Sequence, residues 1–170
     1  MLERMSAVVS SYLSGPELRD LVEELRADPE RWRHLVRHES DHRVYVPLRE
    51  DEQVVAWVIC WSEEQDTGFH DHDGSAAAIA VVEGEIREER LAIGGPPVRA
   101  TYGPGDSFEL PPSAIHRVLH SGDVPAVTIH AYSPPLRRMG AYWIAPDGTL
   151  LREPVEDDEE LRPLDVAVAA

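Results

Sequence analysis

The chain has 170 residues, of which 42% are hydrophobic, and this is enough for one globular domain with its own core. Its formal net charge is −16, and so acidic a surface repels phosphate backbones and anionic lipid, which disfavours nucleic acids and membranes as partners. The single cysteine excludes an internal disulfide framework and suits a reducing compartment. With no apolar run of membrane-spanning length and no signal-peptide pattern at the start, we expect a cytoplasmic protein.

Residues 1–43 are predicted to form a helical segment that packs on the rest of the domain. Ser14, followed by Gly15-Pro16, marks a helix start, and a second start follows in the stretch DPERWRHLVRH, where a proline succeeds an acidic cap. Apolar side chains of the first helix recur at the spacing of one helix face: Leu18, Leu21, Val22 and Leu25.

Residues 44–152 have the pattern of a β-sheet protein. Short runs rich in β-branched and aromatic residues, such as VYVPL, QVVAWVICW and PAVTIHAYS, are separated by breaks rich in Gly, Pro and Asp. Several short strands at close spacing predict a β-sandwich or barrel. Residues 153–170, EPVEDDEELRPLDVAVAA, are acidic and polar and are predicted to form a loosely held tail.

The stretch GFHDHDGS carries two histidines one residue apart, His70 and His72. On a strand, residues at i and i+2 point to the same face, so two imidazoles can bind one metal ion. A useful affinity needs a third ligand. The candidates are downstream histidines: His116, His120 and His130.

The surroundings of these histidines resemble the two motifs of the cupins, small double-sheet β-barrels of jelly-roll type with a metal in the mouth. His70 and His72 fit the H-x-H of the first motif and Gly84 its closing glycine, whereas Ala77 stands where those motifs have a glutamate. The second motif is matched farther along the chain by Gly105, Pro111 and His116. The resemblance implies a mainly β cupin barrel with N-terminal helices. It also implies three neutral imidazoles as metal ligands and no carboxylate.

Two longer stretches resemble the cysteine dioxygenases, the thiol dioxygenase branch of the cupins. ICWSEEQDTGFHDHDGS resembles that family's Cys-Trp, loop and H-D-H segment, and HRVLHSGDVPAVTIHAYSPPL resembles its HRV followed by a strand that ends in His-x-Tyr-Ser-Pro-Pro. The resemblance covers roughly Tyr45 to Tyr142. It implies an Fe(II)-dependent enzyme that uses O2 to convert a small thiol, L-cysteine or a related thiol, into its sulfinate.

The same resemblance implies roles for further residues. The family carries a Ser-His-Tyr relay where this chain has Thr128, His130 and Tyr132, which are two apart and share one face of a strand. The cysteine that forms a thioether with this tyrosine in mammalian members is replaced by Ala77, so that crosslink cannot form here. The Cys-Trp segment supplies Trp61 as a substrate-binding candidate.

The expected carboxylate-binding arginine is absent. The family has it two residues after the tyrosine matched by Tyr45, and this position is Pro47. Arg49 lies two residues further on, and if the strand continues past the proline it shares a face with Tyr45. Arg49 then binds the substrate carboxylate from a shifted place, or it is a surface residue and the natural thiol is not cysteine.

Two other functions remain open at this point. One is a cupin that binds a metal or a small molecule without turnover, which the missing arginine and crosslink cysteine favour. The other is a dioxygenase for a larger biosynthetic thiol. In each case the expected partner is a small molecule, and we expect a monomer or a weak homo-oligomer.

Overall fold

The computed structural model describes residues 12–164, so residues 1–11 of the predicted helical segment and residues 165–170 of the predicted tail lie outside the described part. Two helices and a turn of 3-10 helix precede the strands: α1 (Gly15–Ala27), α2 (Pro29–Trp32) and Arg33–Leu35. The strands are β1 (Val44–Glu50), β2 (Val55–Trp61), β3 (His70–Asp71), β4 (Ala76–Glu83), β5 (Glu85–Arg90), β6 (Val98–Tyr102), β7 (Ser107–Leu110), β8 (His116–Ser121), β9 (Ala126–Ser133), β10 (Arg138–Ile144) and β11 (Leu150–Glu156).

The strands form two sheets, a five-stranded one in the order β1-β2-β9-β4-β7 and a six-stranded one in the order β11-β10-β3-β8-β5-β6. The strand pairs within both sheets are antiparallel. One apolar cluster takes side chains from both sheets, so the sheets face each other across a shared core. The prediction of a mainly β, double-sheet fold is confirmed. Within residues 12–164, no helix combines the length and the hydropathy that crossing a membrane requires.

Helix α1 covers the outer face of the five-stranded sheet. Its four periodic apolar residues are buried, and a capping box between Ser14 and Glu17 begins it. They share an apolar cluster with side chains of β2, β4 and β9, which include Cys60, Ala78 and Ile129. The five-stranded sheet is therefore buried on both faces, and its strands read as nearly continuous apolar runs in the sequence.

The chain beyond β10 stays attached to the barrel. Strand β11 pairs with β10 along its whole length, from Ile144–Leu150 to Arg138–Glu156. The acidic segment from residue 153 thus supplies the last residues of β11. Farther along the same segment, the side chain of Leu161 is 6% exposed and belongs to the core between the sheets.

Gly84 makes the turn from β4 into β5 and allows β9 to pass close by. Its φ of +66° lies in the left-handed region, and an added Cβ would lie 2.4 Å from the carbonyl oxygen of Pro125 and 2.6 Å from the Cα of Ala126. Because both neighbours are backbone atoms, they cannot move aside at low cost. Conformation and close packing together require glycine at this position.

We predict that Gly84→Ala lowers the free energy of unfolding more than Gly94→Ala. Gly94 has a similar φ of +74° with open space around it, so its substitution measures the conformational cost alone, about 1–2 kcal/mol. The clash at Gly84 should add about 1–3 kcal/mol, as overpacking does. Urea unfolding followed by tryptophan fluorescence measures both variants, and equal losses would contradict the steric account.

Candidate metal centre

Strand pairing brings three histidines together at one end of the barrel. His70 opens β3 and lies opposite His116 of β8, while His72 follows one residue after the strand. Their ring centroids are 4.5–5.2 Å apart, and one ring nitrogen of each lies within 4.8 Å of the others. The Nε2 atoms of His72 and His116 are 3.3 Å apart.

Burial keeps these three imidazoles neutral. The rings are 1–4% exposed, and burial lowers the pKa of His70 to about 4 and holds the pKa values of His72 and His116 well below their usual range. The Nδ1–H of His70 can donate to the carbonyl oxygen of Gly68, 3.1 Å away, which leaves the lone pair on Nε2. A neutral imidazole with a free lone pair is the form that binds a metal ion.

The hydrogen bonding of the ring nitrogens indicates that the cluster can hold a metal ion. Among the described residues, the buried Nδ1 atoms of His72 and His116 have no hydrogen-bond partner. The nearest carboxylate oxygen to His116 Nδ1, on Glu88, is 3.5 Å away and is not aligned for a hydrogen bond. The Nε2 atoms of His72 and His116 face each other, and a cation between the rings would relieve the repulsion of their lone pairs. Three imidazoles suit a divalent transition metal such as iron, zinc, nickel or copper.

Asp71, the middle residue of the H-D-H stretch, holds β3 in place through hydrogen bonds on the side away from the histidine cluster. Asp71 accepts hydrogen bonds from the Tyr142 hydroxyl at 2.6 Å and from Arg152 Nε and Nη2 at 2.8 and 2.9 Å. Although partial burial opposes its ionisation, these bonds hold the pKa of Asp71 below its usual range. Arg152 lies across Gly140, where any side chain would meet the guanidinium. Alternation along this stretch thus points His70 and His72 inward, and it points Asp71 outward to Arg152 and Tyr142.

A hydrogen-bonded relay lies on the inner face of β9, beside the histidine cluster. His130 Nδ1 is 3.0 Å from the Tyr132 hydroxyl, and His130 Nε2 is 2.9 Å from the Thr128 hydroxyl. Trp61 donates its indole N–H to the same Thr128 oxygen at 2.9 Å. Burial lowers the pKa of His130 to about 3 and raises the pKa of Tyr132, so both side chains are uncharged. The ring of Tyr132 contacts His72 at a centroid distance of 4.9 Å, which joins the relay to the cluster.

The cluster and the relay open into one cavity of about 400 Å³. Its polar end is formed by His70, His116, His130 and Tyr132. The rest of the wall is largely apolar and includes Pro47, Trp57, Ile59, Val118, Leu136 and Met139. A cavity of this size, with a few convergent polar groups in an apolar wall, is typical of a small-molecule site. Cys60 belongs instead to the cluster under α1, and it does not line the cavity.

The structure brings two of the three predicted substrate-binding residues to this cavity, Tyr45 and Trp61, but not Arg49. The register of β1 against β2 shifts between Pro47 and Arg49, so this bulge breaks the alternation from which a shared face was expected. Arg49 instead pairs with Asp51 at 2.8 Å on the surface.

Sequence reasoning missed Arg43, whose guanidinium lines the cavity with its side chain 1% exposed. Nε donates to the Tyr45 hydroxyl at 2.7 Å, Nη1 donates to the carbonyl oxygen of Asp66 at 2.8 Å, and Nη2 donates to the carbonyl oxygen of Leu161. The alternation of β1 carried a signal, because Arg43 lies two residues before Tyr45 and so on its face.

Comparison with known proteins agrees with this architecture. Residues 8–143 match the family model of cysteine dioxygenase type I. Cysteine dioxygenase type 1 of Danio rerio is 23% identical over 141 residues, which cover 75% of this chain and 69% of the relative.

Solved structures share the fold at low identity. A protein of Thermus thermophilus superposes with a TM-score of 0.54 at 21% identity, over 61% of this chain and 93% of that one. A cupin superfamily protein of Desulfitobacterium hafniense superposes with a TM-score of 0.52 at 12% identity, over 61% of this chain and 87% of that one. The predicted cupin barrel is confirmed as the fold.

We predict that His70→Ala, His72→Ala and His116→Ala each abolish stoichiometric metal binding. Mutating a residue that only hydrogen-bonds to a metal ligand lowers metal affinity by about 10- to 100-fold, so losing a ligand itself should lower it by at least that factor. His120→Ala is the matched control, because His120 is also on β8 but its ring bonds to the carbonyl oxygen of Val124. Elemental analysis after anaerobic loading with Fe(II) measures the effect. Full metal content in one variant would remove that histidine from the ligand set.

Proposed function

The chain belongs to the cysteine dioxygenase type I family, and from this premise we propose that it is an Fe(II)-dependent thiol dioxygenase acting on a small thiol, L-cysteine or a related one. The observation that carries the proposal is one cavity whose polar end is lined by His70 and His116 of the three-histidine cluster and by His130 and Tyr132 of the relay. Because its substrate must stay reduced, we place the reaction in the cytoplasm.

The proposed reaction adds both atoms of O2 to the sulfur of the thiol. The substrate R–SH becomes the sulfinate R–SO2⁻ and one proton is released. Sulfur is oxidised by four electrons and O2 is reduced by the same four, so no further reductant is required. Fe(II) held by His70, His72 and His116 would supply a Lewis acid that favours the thiolate and a redox centre for the reaction with oxygen.

The ligand set itself favours a thiol substrate. Three neutral imidazoles bring no negative charge to the site, since Ala77 occupies the place of the cupin glutamate. The thiolate of the substrate would then be the anionic ligand that the three imidazoles do not supply. The apolar wall, which includes Ile59, Leu136 and Met139, excludes water from the sulfur and strengthens the attraction between unlike charges.

The relay would present the Tyr132 hydroxyl as a hydrogen-bond donor to the reacting groups. Trp61 N–H must donate to the Thr128 oxygen. Within residues 12–164, the alternative acceptor for the Thr128 proton is the carbonyl oxygen of Ile59, which is 3.5 Å away. Thr128 therefore donates to His130 Nε2 at 2.9 Å, and His130 Nδ1–H donates to the Tyr132 oxygen. Tyr132 keeps its own proton free, and burial, which raises its pKa, keeps that proton on the oxygen.

The first test is oxygen uptake by Fe(II)-loaded protein with cysteine, 3-mercaptopropionate, cysteamine and mercaptosuccinate. We expect thiol-dependent uptake with at least one of them and one sulfinate formed per O2 consumed, measured with an oxygen electrode and mass spectrometry. Bound iron without uptake from these or from longer thiols would contradict the proposal and support a non-catalytic binding cupin. Uptake confined to longer thiols would support a dioxygenase for a larger biosynthetic thiol.

We predict that Tyr132→Phe keeps the iron but slows sulfinate formation on the order of 100-fold, the usual worth of a positioned proton donor. Oxygen should also be consumed in excess of sulfinate, because the hydroxyl no longer directs the reaction. Tyr102→Phe is the matched control, since Tyr102 stacks on Phe108 with ring centroids 4.2 Å apart and does not line the cavity. Full, coupled turnover in Tyr132→Phe would show that the relay is dispensable.

A further inference from the structure

Four consecutive acidic side chains line the exposed end of the cavity, opposite in character to the buried histidine end. Asp157, Asp158 and Glu159 are exposed and Glu160 is half-buried. The segment is held at both ends, because β11 before it is fully paired and Leu161 after it is buried in the core. The carboxylates are therefore kept at the mouth by the fold.

Arg43 is the one arginine or lysine among the described residues that line the cavity, and its charge is already compensated. The carboxylate of Glu160 lies 3.6 Å from Nη2 and also accepts the backbone N–H of Arg43 at 2.9 Å. All three guanidinium nitrogens donate to protein acceptors, and the group lies over the Trp61 ring at 5.2 Å. A substrate carboxylate would have to replace these contacts to reach Arg43.

The part of the cavity wall formed by Pro47 and Trp57 also carries no positive charge that could bind a substrate carboxylate. Pro47 pairs with Trp57 across β1 and β2, and neither side chain carries a charge. Trp57 in turn packs on Tyr132, with ring centroids 5.5 Å apart, so an apolar wall runs from the mouth to the relay. Cavities of roughly 300–1000 Å³ hold ligands larger than a single amino acid, and this one, of about 400 Å³, falls in that range.

From the acidic mouth, the compensated arginine and the apolar wall, we propose that the site selects a thiol with an apolar body and a positively charged far end, and that it discriminates against thiols with a carboxylate there. This inference rests on the proposed dioxygenase function and names its substrate class. The sulfur would lie at the buried end, beside His70 and His116, and an ammonium group would lie among the acidic side chains. The net charge of −16 adds a long-range attraction for cations.

The test compares 6-amino-1-hexanethiol, 6-mercapto-1-hexanol and 6-mercaptohexanoate, whose far groups are too remote to change the acidity of the thiol. Dissociation constants are measured by calorimetry on the iron-loaded protein under argon, and kcat/KM is measured from oxygen uptake in air. We expect the affinity and kcat/KM both to decrease in the order ammonium, hydroxyl, carboxylate, so the dissociation constant should increase in that order. The ammonium thiol should bind about tenfold more tightly than the carboxylate thiol, or more, at low salt, with a kcat/KM higher by a similar factor. Both ratios should fall as salt screens the exposed charges.

The two measurements separate the two proposals. A carboxylate thiol that binds as tightly as the ammonium thiol, or more tightly, would overturn the charge preference whether or not turnover occurs. Binding in the expected order without uptake would contradict the dioxygenase function and leave the selective site standing. Uptake that is fastest with cysteine or 3-mercaptopropionate would support the dioxygenase and overturn the inferred substrate class.

A charge-neutralised variant locates the effect. In Asp157→Asn, Asp158→Asn, Glu159→Gln the preference for ammonium over carboxylate should fall several-fold. The control removes three acidic groups from the helical segment, away from the cavity: Asp20→Asn, Glu24→Gln, Glu30→Gln. Both variants change the net charge equally, so an equal fall in the two would assign the preference to net charge and overturn the role of the mouth.

Discussion

The pairing of the two-residue strand β3 is the constraint on which the candidate metal centre depends. His70 is held opposite His116 on one side and opposite Ala141 on the other, so its position is set by backbone hydrogen bonds from two strands. Alternation then sends Asp71 outward, where Arg152 and Tyr142 hold it. A two-residue strand gains little free energy from pairing alone. The bonds of Asp71 to Arg152 and Tyr142 therefore help to prevent a one-residue shift of register, which would exchange the inward and outward faces of β3.

Strand β9 meets a second constraint, because it must serve the core and the relay at once. Its odd-numbered residues, such as Ile129, face α1 and join the cluster there, while Thr128, His130 and Tyr132 face the barrel interior. Every residue of the strand is buried. This burial is the cause of the uncharged state of the relay, so the packing that stabilises the fold also fixes the protonation of the side chains in it.

The parts of the site that could be predicted from sequence are those set by local periodicity. H-x-H and T-x-H-x-Y each place their side chains on one face through a spacing of two, which needs no knowledge of the rest of the chain. Choosing the third histidine required the resemblance to a family, because periodicity left His116, His120 and His130 equivalent. The register of β3 against β8 distinguishes them, and register is a property of the folded sheet.

The parts that could not be predicted depend on irregular backbone or on distant pairing. The bulge after Pro47 carries Arg49 away from the cavity, and a bulge leaves no reliable mark in a single sequence. The clamp on Asp71 comes from Arg152, 81 residues away in the chain. The acidic segment after β11 has the composition of a solvated tail, yet it closes one side of the cavity, because pairing with β10 directs it there.

The acidic segment after β11 sets the charge of the cavity through its docking on the barrel, and no single side chain sets it alone. Glu160 pairs with Arg43 at 3.6 Å and with Arg162 at 2.6 Å, and the carbonyl oxygen of the next residue, Leu161, accepts from the Arg43 guanidinium. Turning Arg43 toward a substrate carboxylate would therefore break its hydrogen bonds to Leu161 and Tyr45 and leave Glu160 with Arg162 alone, 2.6 Å away. Losing such buried hydrogen bonds costs more than losing a single surface ion pair. A cation, in contrast, meets the exposed carboxylates without breaking any of these contacts. The asymmetry between the two charges thus follows from the docking of the C-terminal segment.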